Sequence, residues 1–578
     1  MQGNVAGEVD SLKKTVGIGH QNFEQLILND NFYIDKTAFI KEWWESNDIV
    51  TLITRPRRFG KTLNMSMLEY FFSINYKEKK NLFEGLSIWE DDKYQQLQGT
   101  YPVISLSFSN VKEPNLYSAK RCLFQILSDL YDKHIFLLDS PLLTKNEKDF
   151  FLSVTNHIDD TTAIWTLHKL SDFLSRFYGQ RVIVLLDEYD TPMQEAYING
   201  YWDDLLQFIR SFFNSTFKTN PYLERAVMTG ITRIGKESIF SDLNHPKVIT
   251  TSSAEYADCF GFTESEVFEA LDEFGMSDKK MEVKKWYDGF TFGRCTDIYN
   301  PWSIINFLDT GEFDTYWANT SSNSLAGKLI REGNREVKKD FEKLLSGEHL
   351  HISLDEQIVY DQLDFSEMAV WSLLLASGYL KIVRLDKFKN IGNGLRESAY
   401  ELDLTNFEVK LMFYTIIRGW FQENTSDYND FIKALLVGDV DAMNDYMNSV
   451  AQSVFSYFDT GKNPSRDQPE RFYHGFVLGL MVELQGRYVL TSNRESGFGR
   501  YDVMLEPLHE KDDAMILEFK VFQPRKENTL ADTVKSALQQ INDRHYETFF
   551  LTKGISKERI RKYGFAFSGK EILIGSDD

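Results

Sequence analysis

Two groups of residues in this chain have the types and spacing that phosphate chemistry requires. The first is Gly60-Lys61-Thr62, which closes the stretch Ile49–Thr62, IVTLITRPRRFGKT. A β-type run (Ile49, Val50, Leu52, Ile53) leads into a loop, and a helical pattern (Leu63, Met67, Leu68, Phe71) follows it. In that order, loop amides and a helix N-terminus meet a polyphosphate, a Lys neutralises charge, and a Thr hydroxyl reaches a magnesium ion. The matching half stands in Arg181–Asp190, RVIVLLDEYD, where five apolar residues end in Asp187 and Glu188. Such a run suits a strand buried on both faces. Asp187 at its tip can hold magnesium through water, and Glu188 can orient or deprotonate an attacking water. The expected ligands are ATP, or a similar nucleotide, and Mg2+, with Thr62 and Asp187 as the metal-binding pair.

The loop departs from the usual phosphate-loop pattern. Arg55 stands where the first Gly belongs, and Pro56 removes one backbone donor from the cradle. Further candidates lie in Val227–Arg233, VMTGITR: Thr229 at a strand end to sense the γ-phosphate, and Arg233 to stabilise its developing charge. A solvated loop is the other reading of Arg233. Arg57 and Arg58 have the same two readings, phosphate or water.

The second group lies in the tail: Asp502 in GRYDVML, then Glu518 and Lys520 in AMILEFKVF. Strand side chains alternate, so Glu518 and Lys520 share one face while Leu517 and Phe519 fill the other. With Asp502 from a neighbouring strand, two carboxylates can hold Mg2+ or Mn2+ while the Lys polarises or deprotonates a water for attack on a phosphodiester. The competing reading is an ordinary strand with a cross-strand ion pair. A helix carrying Ala537, Leu538, Gln539 and Gln540 comes next, where a polar residue can complete the site. Upstream, Glu470 and His474 at i, i+4 either face the metal or stabilise each other.

These residues need α/β scaffolds to position them. Up to residue 255, candidate strands (Ile49–Thr54, Val103–Phe108, Val182–Leu186, Arg225–Met228) alternate with helical patterns such as Leu116–Tyr131 and Trp202–Phe217. That alternation predicts a mainly parallel sheet covered by helices, of the P-loop NTPase type. Residues 256–455 read as a mainly helical lid or linker with aromatic-rich loops, WYDGFTFG and YNPWS; the part from 381 is more mixed. Trp286, Tyr287, Phe290 and Phe292 either stack on bases or pack a domain junction, the commoner role of such aromatics. Residues 456–578 read as a second α/β unit. It has a helix at Phe472–Gln485, strands at Arg487–Thr491, Tyr501–Leu505 and Ala514–Phe519, a helix at Thr529–Arg544 and a last strand at Thr548–Leu551.

Composition sets the outer bounds. The chain has 578 residues, 42% of them hydrophobic, with 45 Phe and 28 Tyr, which argues for packed cores rather than disorder. A net charge of −22 excludes unselective coating of nucleic acid but leaves room for a local basic channel. The opening MQGNVAGEVD lacks the basic-then-apolar order of a signal peptide. The apolar run Met368–Leu380 is 13 residues long, short of the roughly 20 that span a bilayer. Cys122, Cys259 and Cys295 lie far apart without a CxxC pair, which fits a reducing compartment and gives no zinc signal. The expectation is a cytoplasmic protein with no membrane partner, its oligomeric state open.

Further motifs run through the chain: Phe32-Tyr33-Ile34-Asp35-Lys36-Thr37, RPRRFGKT, LLDEYD and TGITRIGKESIFSDLN; then Trp286-Tyr287-Asp288-Gly289, Tyr299-Asn300-Pro301-Trp302-Ser303 and Tyr316-Trp317; and in the tail Phe472-Tyr473-His474-Gly475, Gly499-Arg500-Tyr501-Asp502 and Glu518-Phe519-Lys520. Over nearly the whole length the chain resembles a bacterial and archaeal family with a predicted AAA-ATPase-like domain followed by a PD-(D/E)XK-type nuclease domain. The resemblance implies an AAA-ATPase-like domain at 1–255, a helical lid at 256–455 and a PD-(D/E)XK nuclease-like domain at 456–578. It implies phosphate and magnesium at Lys61 and Thr62, a Walker-B-like pair at Asp187 and Glu188, and nuclease positions at Asp502, Glu518 and Lys520. Two functions follow. One is an ATP-dependent nuclease acting on DNA or RNA, with nucleic acid as its partner. The other is a nucleotide-operated switch whose degenerate tail recruits a partner.

Overall fold

Strands β1 (Val50–Thr54), β2 (Val103–Ser107), β3 (Val182–Asp187), β4 (Leu223–Gly230) and β5 (Lys247–Ile249) pair in parallel in the order β2-β3-β4-β1-β5. Every residue of β1 and β3 is buried, as expected for an apolar run covered on both faces. The coordinates are a computed structural model and describe residues 14–577 apart from 235–245, 318–326, 328, 331–334, 346, 355–366, 393–394, 423–427, 455–476, 478–480, 485–486, 493–494, 497–498, 501–502, 510 and 569–570. The chain divides into two compact units, Met1–Leu325 with His351–Val409, and Ala326–Leu350 with Lys410–Asp578.

In the first unit, β4 separates β1 from β3, so the chain leaving each of these three strands emerges at the same edge of the sheet. That carboxyl edge is where open α/β sheets hold ligands. The helices that cover the sheet carry their own start and stop signals. Asp159 caps Asp160–Tyr178 by accepting from the Thr162 amide, and Gly179 ends it in the left-handed conformation.

The middle region is helical as expected, and the structure differs in its aromatic loops. WYDGFTFG is the end of a helix (Lys280–Tyr287) followed by a strand. Strands β6 (Phe262–Thr263), β7 (Asp288–Phe292) and β8 (Cys295–Tyr299) form a small sheet in the order β6-β8-β7. The reason is period two: Phe290 and Phe292 both point inward and are buried. The helices Glu264–Glu273 and Pro301–Thr310 close a hydrophobic cluster around it that includes Phe262, Leu271, Tyr287, Tyr299 and Phe307. Strands β9 (Leu350–Ser353), β10 (Leu380–Gly392) and β11 (Leu395–Leu404) make a further sheet, with β10 and β11 as a long antiparallel pair.

The second unit holds β12 (Tyr488–Ser492), the short ribbon of β13 (Glu495–Ser496) and β14 (Gly499–Arg500), then β15 (Val503–Pro507), β16 (Ala514–Val521), β17 (Ile560–Ser568) and β18 (Glu571–Ser576). Its main sheet runs β12-β15-β16-β17-β18, with β16 and β17 parallel and the other pairs antiparallel. Leu517, Phe519 and Phe565 face one cluster, with Phe431, Leu435 and Met447. Ile516 and Ala566 face the other, with Val534, Leu538 and Ile541 of the helix Leu530–Asp543. The alternation expected for Glu518 and Lys520 is therefore the alternation of this sheet.

Thr548–Leu551 is not the last strand. It belongs to a helical turn, Thr548–Thr552, in which Phe550 is fully buried while Leu551 lies exposed. One buried position per turn does not match a strand's two faces. The closing strands are β17 and β18. The expected helix Phe472–Gln485 lies outside the described residues except for Val477 and a 3-10 turn at Met481–Leu484. Among the described residues, no helix is long and apolar enough to cross a membrane.

Candidate functional site

The chain leaves β1 at Thr54, turns through residues 55–60, and enters the helix Lys61–Phe72 with Gly60 as its N-cap at φ 78°. Lys61 is buried, and its Nζ donates to the carbonyls of Arg55 (2.9 Å) and Pro56 (2.8 Å). Burial lowers its ammonium below the usual lysine range, while the charges of Glu188 and Asp187 resist that shift. Thr62 Oγ1 donates to Asp187 Oδ2 at 2.7 Å, and Thr229 Oγ1 donates to the other carboxylate oxygen. The first turn of the helix after β1 and the ends of β3 and β4 thus meet on one carboxylate, whose pKa burial raises. Glu188 follows in a left-handed conformation (φ 50°), and its Oε2 accepts from Thr191 Oγ1 at 3.1 Å. A hydroxyl and a carboxylate within one hydrogen bond, beside a buried lysine, are hard oxygen donors that suit magnesium.

The loop's own residues explain its departure from a glycine-rich pattern. Arg55 is fully buried and does not line the cavity that opens beside the loop. Its guanidinium donates to the carbonyls of Thr54 (3.0 Å) and Thr250 (2.8 Å) and lies 4.4 Å from the centre of the Phe292 ring. Burial pushes its pKa down to about 10. The Arg57 carbonyl accepts from Trp317 Nε1 at 3.0 Å and from Asn300 Nδ2 at 3.3 Å. Arg58, left-handed at φ 65°, sets its guanidinium 4.3 Å from the centre of the Trp302 ring. Phe59 packs on Phe290 and Phe292 with ring centres 4.7 and 5.4 Å away. A Cβ at Gly378 would lie 2.8 Å from Pro56, so that glycine permits a close approach to the loop. WYDGF, YNPWS and YW are thus the outer mould of the phosphate loop. Of the aromatics offered as base-stacking groups, Tyr287, Phe290 and Phe292 are buried and Trp286 packs edge-on against Phe407, which is the packing role.

A cavity of about 570 Å³ opens beside this loop, lined in part by Arg58, Gly60, Lys61, Thr62, Asp187 and Glu188. Thr229 does not line it; it stands behind Asp187, buried. Arg233 does not line it either. The chain after β4 is drawn onto Asp190, whose Oδ2 accepts from the Ile231 amide (3.0 Å), the Thr232 amide (2.8 Å) and Thr232 Oγ1 (2.8 Å). Arg233 then lines a separate small cavity with Thr54, Thr250, Thr251 and Ser372. Its expected contact with the γ-phosphate has no support in this arrangement. The cavity also takes in residues that motif reading missed, Ser107 at the end of β2, Ser109 and Lys112 after it, and the segment around Gly17–Gln21, together with Trp302, which the motifs named without a site role. Only the β2 residues carry a local signal, as polar side chains at the end of a buried strand.

In the second unit, Glu518 is buried at the centre of β16, and Lys520 lies two residues on along the same face. Gln540 bridges them: its Oε1 accepts from Lys520 Nζ at 2.7 Å and its Nε2 donates to Glu518 Oε1. The polar residue expected on this helix is therefore Gln540. Gly564 pairs with Glu518 across β16 and β17, and its missing side chain lets the helix Leu530–Asp543 approach: a Cβ there would lie 2.9 Å from the Val534 carbonyl. Val503 pairs with Leu517 between β15 and β16. Asp502, Glu470 and His474 lie outside the described residues.

A Gly-Lys-Thr loop on a parallel sheet, with a strand-tip Asp bonded to its Thr, marks one α/β domain; a Glu-x-Lys strand under a glutamine-bearing helix marks a second. Residues 17–240 match the family described as predicted AAA-ATPase, and residues 468–577 match the PD-(D/E)XK nuclease superfamily. The chain carries an AAA-ATPase-like domain and a PD-(D/E)XK nuclease-superfamily domain. Over 578 residues it is 24% identical to an uncharacterized protein in the vnfD 5' region of Azotobacter chroococcum mcd 1, covering 96% of this chain and 97% of that protein.

Proposed function

We propose that this protein binds and hydrolyses Mg-ATP at its phosphate loop and that its tail cleaves phosphodiesters of DNA or RNA with a divalent metal. The observation that carries the reading is the Thr62–Asp187 hydrogen bond beside buried Lys61. It pairs the two groups that a magnesium–triphosphate complex requires. In this reading Lys61 neutralises phosphate charge, Gly60 presents loop amides, and Thr62 and Asp187 hold Mg2+. Thr229 fixes the Asp187 carboxylate, and Glu188 orients the attacking water once Thr191 releases it. Bound there, magnesium would neutralise charge on the phosphate oxygens. In the tail, Glu518 with Asp502 would hold Mg2+ or Mn2+, while Lys520, steered by Gln540, polarises the water.

The test compares the wild type with Lys61→Ala, Glu188→Gln and Lys520→Ala. Mg-ATP at about 100 times its Kd should stabilise the wild type by about 2.7 kcal/mol, and Lys61→Ala should abolish that shift. Glu188→Gln should bind nucleotide without releasing phosphate. Labelled DNA and RNA should be cut by the wild type with Mg2+ or Mn2+ and left intact by Lys520→Ala. Binding without any cleavage would favour the nucleotide-operated switch instead, and the absence of a thermal shift would remove the nucleotide reading altogether.

A further inference from the structure

We propose that Glu408 is a positioning residue for the phosphate loop: one buried carboxylate sets both of the groups that donate to the Arg57 carbonyl. Its effect on nucleotide affinity rests on the ATPase reading above. The residue itself lies outside the cavity lining and far along the chain from either phosphate motif.

The loop is held from two places. Trp317 Nε1 and Asn300 Nδ2 both donate to the Arg57 carbonyl. Asn300 also caps the helix Pro301–Thr310, whose Trp302 carries the Arg58 guanidinium. Packing alone does not aim these donors. Trp317 has Phe290 and Tyr379 as ring neighbours, at 5.5 and 5.6 Å between centres. Apolar packing is non-directional, so those rings hold the indole in place without turning its N–H toward one carbonyl. A hydrogen bond has the direction that packing lacks.

Glu408 supplies that direction to both places. Its side chain is fully buried. Oε1 accepts from the Trp317 amide at 2.6 Å, and Oε2 accepts from Ser303 Oγ at 2.8 Å. The first bond fixes the backbone from which the indole reaches Arg57. The second grips the first turn of the helix that begins at Asn300, beside Trp302. Two oxygens of one carboxylate keep a fixed separation, so the two donors of the loop are held in register with each other. A hydrocarbon of similar volume would fill this buried place at no greater cost; what the acid adds is two aimed acceptors.

Glu408 is itself seated on the mould. It stands in the first turn of the helix Phe407–Gln422. Asn406 Oδ1 accepts from the Val409 amide at 3.0 Å, and its Nδ2 donates to the Tyr287 carbonyl at 3.1 Å. Phe407 packs edge-on against Trp286. Trp286 and Tyr287 lead directly into β7, whose Phe290 and Phe292 pack on Phe59 of the loop. The carboxylate and the rings that enclose the loop therefore share one support.

Glu408→Gln and Glu408→Met separate bond geometry from bulk. Glutamine can accept from the Trp317 amide through Oε1 and donate from Nε2 to Ser303 Oγ, which turns to accept. Methionine has the length without the oxygens. Hydrogen exchange of the full chain without nucleotide reads the amides of residues 57–60, with the helix Asp160–Tyr178 as internal reference. Glu408→Met should speed exchange in the loop by about tenfold and in the reference by less than about twofold, while Glu408→Gln keeps the wild-type pattern. In calorimetric titration, Mg-ATP should bind Glu408→Met about tenfold more weakly and Glu408→Gln within about twofold of the wild type. Ser303→Ala removes one of the two bonds and leaves Glu408 in place. It should weaken Mg-ATP by about threefold, and it carries the test if Glu408→Met does not fold. Unchanged loop exchange in Glu408→Met, or in Ser303→Ala where that variant stands in for it, would overturn the proposal. Equal acceleration in the reference helix would make Glu408 structural and overturn it too. Glu408→Gln as impaired as Glu408→Met would make the charge, not the aimed bonds, the active feature, with the same consequence. A wild type that binds no Mg-ATP would remove the ATPase reading and leave the exchange measurement to decide the role of Glu408.

Discussion

If the phosphate loop is shaped from outside, its two external donors should act as a coupled pair. Trp317 Nε1 and Asn300 Nδ2 both donate to the Arg57 carbonyl, at 3.0 and 3.3 Å. Trp317→Phe keeps a ring near Phe290 and Tyr379, which lie 5.5 and 5.6 Å away between centres. It removes one hydrogen bond, about 1 kcal/mol. Asn300→Ala removes the other and also an N-cap, because Asn300 Oδ1 accepts from the Trp302 amide at 2.8 Å; that adds about 1 kcal/mol. Either change alone leaves the Arg57 carbonyl one donor. The double variant leaves it none, at a place where Trp317 and Asn300 are 2% and 1% exposed. An unsatisfied group there costs a further 1–2 kcal/mol or so. In Mg-ATP titrations the single variants should raise Kd by about five- to thirty-fold. The double should exceed the sum of the two effects by about 1–2 kcal/mol. Hydrogen exchange at the loop amides should accelerate in the same order. Additivity within about 0.5 kcal/mol, or unchanged affinity despite faster exchange, would refute external shaping.

Two further outcomes follow. Burial, aided by the neighbouring Asp297, pushes the Asp288 carboxyl up to about 7. A carboxyl raised above its unfolded value stabilises the fold while protonated and loses that contribution as pH rises through its folded value. Asp288→Asn should therefore stabilise the fold at pH 8 by on the order of 1 kcal/mol once solvent screening is allowed for, raising the melting temperature, and flatten the decline between about pH 4 and 7; a melting curve series across pH reads it. Gly564→Ala places a Cβ 2.9 Å from the Val534 carbonyl and 3.2 Å from Ala537 Cβ. It should cost about 1–3 kcal/mol and speed hydrogen exchange in the helix Leu530–Asp543 as Gln540 withdraws from Glu518 and Lys520; an unchanged exchange pattern would count against that helix seat.

Some of this was readable from the chain and some was not, for identifiable reasons. Asp187 at the end of a run buried on both faces reads by itself as a capping acid or a ligand-facing one, and the Gly60-Lys61-Thr62 loop elsewhere in the chain favours the second reading. The shared face of Glu518 and Lys520 follows from strand geometry alone. The small β7-β8 hairpin was hidden because its aromatics sit beside Gly289 and Gly293, which read as loop. β17 shows the period of two through Tyr563, Phe565 and Phe567, yet Thr548–Leu551 presents the same β-rich composition sooner in the chain. Arg233 illustrates a firmer limit. Its local sequence fits a phosphate contact, and only the bonds from Ile231 and Thr232 to Asp190 send it elsewhere. Phe262, Tyr287, Tyr299 and Phe307 cannot be grouped from sequence, since their separate segments meet only in the folded cluster.

The least glycine-like feature of the chain carries the most general lesson. A phosphate loop usually takes its shape from glycines, because positive φ and close backbone approach exclude side chains. Here Gly60 alone serves that purpose within residues 55–60, and Arg58 adopts the left-handed conformation at a cost of about 1–2 kcal/mol. Stacking on Trp302 offsets part of that cost. Arg55, in the place of the first Gly, anchors the loop's entry by bonds to Thr250 and by its ring contact with Phe292. Glycine has been moved rather than lost. Gly261 faces Phe59, Gly378 faces Pro56, and Gly289 faces the Thr405 carbonyl, each at a separation that a Cβ would violate. The permissive positions sit in the mould and the rigid ones in the loop. A loop of this kind takes its conformation from Thr250, Phe292, Asn300, Trp302, Trp317 and Gly378 of the same unit, so a change that loosens Trp317, Asn300 or Gly378 should be felt at Lys61.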